Sequence, residues 1–99
     1  MPVYVVERSF PGLTNKHLAA MQHALTEACH RQTASGRPIH YRGTTFLPAR
    51  SRCLCLFEAS NSDLVKAVNE TAQVPFASIN EAIELPTPKG AFDHPTTKR

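Results

Sequence analysis

Apolar residues along this chain follow two rhythms, one of period two and one of period near 3.6. Val3-Tyr4-Val5-Val6-Glu7-Arg8 is short and rich in β-branched and aromatic residues, which predicts a strand. Pro11-Gly12 ends it. From Thr14 or Asn15, either of which can cap a helix, the rhythm changes. Leu18, Met21, Leu25, Ala28 and Cys29 define a single helical stripe, and Gly36 is its stop. Ile39 to Leu47 predicts a second strand, Pro48 to Ser51 a turn, and Arg52 to Phe57 a third strand, so the two strands form a hairpin. Ser60 and Asp63 stand at capping-box spacing before a second helix, whose apolar side is Leu64, Val65, Ala67, Val68 and Ala72. Val74-Pro75 breaks that helix. Ile79 to Leu85 predicts a fourth strand.

The order βαββαβ predicts an α+β, ferredoxin-like two-layer sandwich, with both helices on one face of a four-stranded antiparallel sheet. One domain is expected over residues 1–86. A polar, proline-rich C-terminal tail follows over 87–99, with Phe92 its only large apolar residue. The strand pattern adds an expectation about assembly. Val3 and Val5 fall on one face of strand one, and Tyr4 and Val6 on the other. Leu54 and Leu56 likewise oppose Cys53, Cys55 and Phe57. Two apolar faces, with helices for only one, predict a homodimer that packs through the open sheet face, of the dimeric α/β-barrel type.

Composition narrows the class. Ninety-nine residues make one domain, 41% apolar and 19% charged, which is globular. A chain of that size buries roughly 65% of its unfolded surface, enough for one core. The net charge of +3 is spread along the chain with no dense basic run, so no nucleic-acid partner is expected. No apolar run approaches the roughly 20 residues of a membrane span, and Met1-Pro2-Val3-Tyr4 does not read as a secretory leader. Three cysteines suit reduced thiols, so the expected location is cytoplasmic.

Several side chains could carry chemistry. Cys53 and Cys55 share a strand face with Cβ atoms about 7 Å apart, too far for a disulfide. His40 leads the second strand and is the histidine best placed in the sheet. Glu7 has the parity of Val3 and Val5, so its charge falls on an apolar face and calls for a partner such as Arg8, Arg42 or Arg52. Glu81 comes from strand four, the neighbour of strand one in this fold. Glu7 with Glu81 is therefore the expected shared site, for proton transfer or a metal. There is no phosphate-binding glycine loop and no nucleophile elbow.

The opening Pro2-Val3-Tyr4-Val5-Val6-Glu7-Arg8-Ser9-Phe10-Pro11 resembles the start of a family of small bacterial ferredoxin-like domains of unknown function that includes a nickel-binding protein. The resemblance continues through Tyr41-Arg42-Gly43-Thr44, Leu54-Cys55-Leu56-Phe57-Glu58-Ala59, Val74-Pro75 and Ile79-Asn80-Glu81. It implies a homodimer and nickel or another divalent metal as cofactor. Glu7, Cys55 and Glu81 match family positions. Where the family often carries Trp-x-His or Trp-x-Gly, this chain has Tyr41-Arg42-Gly43. Strict alternation puts His40 on the face opposite Gly43. The candidate ligand-binding residues are Glu7, Tyr41, Cys55 and Glu81, and the candidate metal ligands are Glu7, His40 and Cys55.

Three function classes follow. The first is a homodimer that binds a divalent metal or small ligand without catalysis. The second is a cofactor-free isomerase, cyclase or monooxygenase holding an apolar substrate against Tyr4, Tyr41 and Phe57. The third is a structural or regulatory interaction protein.

Overall fold

The alternation at the start of the chain becomes strand β1 (Val3–Ser9) in the computed structural model, which describes residues 1–88. Helix α1 runs over Asn15–Ala34. Thr14 is its cap, the side-chain hydroxyl accepting from the His17 N–H at 3.2 Å. Met21, Leu25, Ala28 and Cys29 of the expected stripe are buried, and Leu18 packs at the margin. Strands β2 (Ile39–Leu47) and β3 (Arg52–Ala59) form the hairpin, joined by a 3-10 turn over Pro48–Arg50. Helix α2 is Ser62–Thr71 and strand β4 is Ser78–Ala82.

The sheet order is β2-β3-β1-β4, with every neighbouring pair antiparallel, and each helix forms a crossover between two non-adjacent strands. This is the ferredoxin-like α+β fold that the element order predicts. The core lies between sheet and helices. Tyr4, Val6, Cys53, Cys55, Phe57 and Ala59 meet Leu25, Val65 and Val68 there. The other sheet face carries Val3, Val5, Leu54 and Leu56, each partly exposed.

Two boundaries differ from expectation. Asn61, not Ser60, caps α2, its Oδ1 accepting from the Leu64 N–H at 2.9 Å. Asparagine is at least as good a cap as serine, and the shift moves the capped N–H one residue on, from Asp63 to Leu64. Strand β4 stops at Ala82 instead of Leu85. Ala82 stands opposite Val3, the first residue of β1, and the next residue back is Pro2, which has no N–H to donate. Phe92 and the rest of the tail beyond residue 88 lie outside the described residues.

A β-bulge reshapes β2. Tyr41 pairs with Phe57 but Gly43 pairs with Leu56, so Arg42 is the extra residue. Gly43 sits at φ 130°, a conformation side-chain-bearing residues rarely adopt. The bulge turns Tyr41 and Thr44 toward the helices. It puts His40 and Gly43 on the same open face, contrary to strict alternation.

Candidate functional site

The bulge builds a polar chain inside the sandwich. The Gln22 side-chain amide donates to the Tyr41 phenol oxygen at 3.1 Å. That hydroxyl is hydrogen-bonded to the Thr44 hydroxyl, which lies 3.0 Å from the Cys55 thiol. The Tyr41 ring packs on Phe57 with centroids 5.3 Å apart. Tyr41 and Cys55 thus meet as candidate residues, through Thr44. Burial pushes the Tyr41 phenol up, against the pull of its Thr44 and Gln22 hydrogen bonds. The phenol stays neutral near pH 7 in this setting, and Cys55 is fully buried. The space beside Tyr41, shared with Cys29, His30 and His40, is about 70 Å³. That holds a water or two, not an apolar substrate. Tyr4 and Phe57, expected to line a substrate pocket, are instead buried in core packing.

The remaining candidates lie elsewhere. Glu7 is on the open face and pairs with Arg52 at 2.8 Å, one of the partners its parity called for. Glu81 stands opposite Tyr4 in register, on the helix face at the sheet edge, and is exposed. Glu7 and Glu81 therefore do not share a site. Glu7 pairs with Ser78, and the three-residue step from there to Glu81 reverses the face. His40 is exposed on the open face, opposite Glu58. It lies at the far end of the sheet from Glu7, while Cys55 faces the helices. The sheet separates Cys55 from Glu7 and His40, which stand at opposite ends of the open face. Among the described residues, no three His, Cys, Asp or Glu side chains gather as metal ligands. The donors of one chain's described residues do not fit a resident metal.

Arg8, expected only as one possible partner for Glu7, instead faces the helices. It continues the buried alternation of Tyr4 and Val6 and is 1% exposed. Its guanidinium donates to the Val74 and Pro75 carbonyls at 3.3 and 3.2 Å and to Asn69 Oδ1 at 2.6 Å. Nε has no partner, and Arg8 forms no ion pair among the described residues. The in-phase position after two core residues was the available signal. Outside this wall lies a cleft of about 420 Å³ lined by Phe10, Leu13, Met21, Ala72 and Val74, with His17 its titratable group.

Comparison with known proteins places the fold in context. The model of the family described as nickel responsive protein SCO4226-like matches residues 4–82. The chain belongs to that family. Its fold is similar to the crystal structure of SCO4226 from Streptomyces coelicolor A3(2), with a TM-score of 0.69 at 19% identity. The match covers 85% of this chain and 99% of that one. No curated protein matches the chain.

Proposed function

We propose that this member of the nickel responsive family is a small cytosolic homodimer that binds a divalent metal, nickel foremost, without catalysis. The observation that carries the dimer is the open sheet face, where Val3, Val5, Leu54 and Leu56 lie uncovered between charged rims. Soluble monomers rarely leave such a patch to water. The family description supports nickel as the ligand.

Because the described residues of one chain gather no three ligands, this reading makes metal binding depend on the dimer. His40, Glu58 and Glu7 stand on the face where two copies would meet, and each would be present twice. The cytosolic assignment rests on three free, buried cysteines, which suit a reducing compartment. No helix among the described residues is long and apolar enough to cross a membrane.

A second reading has one observation behind it. The apolar cleft between α1 and Val74-Pro75 has the volume of a small-ligand site. Isothermal titration separates the two. Nickel added to chelator-treated protein should give saturable heat, and His40→Ala should reduce it. Flat heats for nickel, zinc and copper would remove the metal reading.

A further inference from the structure

The chain does not end where the family match ends. The match closes at residue 82, at the last residue of β4, and Ile83, Glu84 and Leu85 continue from it. Ile83 is 81% exposed and Leu85 85% exposed, against 36% for Leu47. Yet the segment between them is tethered. Glu84 Oε1 accepts from Arg42 Nη1 at 2.7 Å, and the same nitrogen lies 3.9 Å from Glu58. The guanidinium holds the Glu84 carboxyl below the usual carboxylate range.

Strands β4 and β2 are opposite edges of the sheet. An ion pair from just beyond β4 to the bulge of β2 therefore draws the chain across the open face. It does so at the end where Ala82, Val3, Glu58 and His40 stand in one row. A segment that simply capped its own sheet would bury its aliphatic side chains on Val3 and Leu56. Ile83 and Leu85 remain in water instead.

We propose that Ile83–Leu85 is an arm for a second copy of this chain, its two aliphatic side chains packing against the partner's open sheet face. The inference rests on the dimer reading above and adds to it the segment that closes the interface. A stable dimer buries roughly 800 Å² on each partner. The open face offers four partly exposed aliphatic residues toward it. Two large, almost fully exposed side chains continuous with the same face enlarge it. In a two-fold dimer the arm contact occurs twice, once from each chain. Arg42 fixes the arm's course before association, so less ordering is needed on binding.

Sedimentation equilibrium of the full chain, of Ile83→Asp/Leu85→Asp, and of the milder Leu85→Ser tests this. The wild type should sediment as a dimer. The double variant should self-associate roughly 100-fold more weakly, and Leu85→Ser roughly tenfold. Far-UV circular dichroism should be unchanged, since neither side chain packs in the core. A dimeric wild type with equally tight arm variants would overturn the arm while leaving the dimer. A monomeric wild type would overturn the dimer reading on which it rests.

Discussion

Arg8 brings a full positive charge into the core, and its neighbours there are neutral. Two carbonyls and the Asn69 side chain share the guanidinium's protons. Arg8→Ala leaves those acceptors buried without donors and opens a cavity, at a cost of about 3 kcal/mol. Denaturant unfolding should show the midpoint falling with the slope unchanged; an unchanged midpoint would contradict this role. Cys29 gives a pH signature. Burial pushes its thiol up to about 11, opposed by a backbone hydrogen bond with Tyr41. The fold favours the neutral thiol, so this contribution is complete below the ordinary value of 9.0 and is lost as pH rises toward about 11. The melting temperature should hold up to pH 9 and then fall, and Cys29→Ala should lessen that fall. Residue parity made the Glu7–Arg52 pair legible, because a charge on an apolar strand face must find a counter-charge. Parity alone misplaced Glu81, since the face of a β4 residue depends on register with β1, which no pattern within β4 encodes.

At the scale of elements, all the predicted strands and helices form, and the errors sit at their ends and irregularities. The α1 stripe was legible because its spacing is helical and its cap is local. The end of β4 was not, because Ile83 and Leu85 have strand-like chemistry but no β1 residue to pair with. The bulge at Arg42 was also hidden, although Gly43 was its trace in the sequence. With φ at 130°, Gly43→Ala should cost about 1–2 kcal/mol even though open space surrounds the added methyl. The same change should disturb the Tyr41–Thr44–Cys55 chain, which exists because the bulge turns Tyr41 and Thr44 to one side. Near-UV circular dichroism should register it as an altered tyrosine band. A Gly43→Ala protein of unchanged stability and tyrosine signal would mean the bulge is not required.

For the whole molecule, the two faces of the sheet differ in what covers them. One is sealed by α1 and α2 around Phe57 and Val65. The other presents Val3, Val5, Leu54 and Leu56 beside the Glu7–Arg52 and Arg42–Glu58 pairs. Such exposed ion pairs add little by themselves, so the apolar centre is what would drive the proposed association. The metal candidates divide across the same sheet, so the proposed metal binding would need two copies to meet. The central claim is therefore that two chains close the open face. Light scattering of the full chain at micromolar concentration tests it most directly. The account predicts a mass near twice the 10.9 kDa of one chain, falling to that of one chain for Leu56→Glu. A wild-type mass near 10.9 kDa would contradict it.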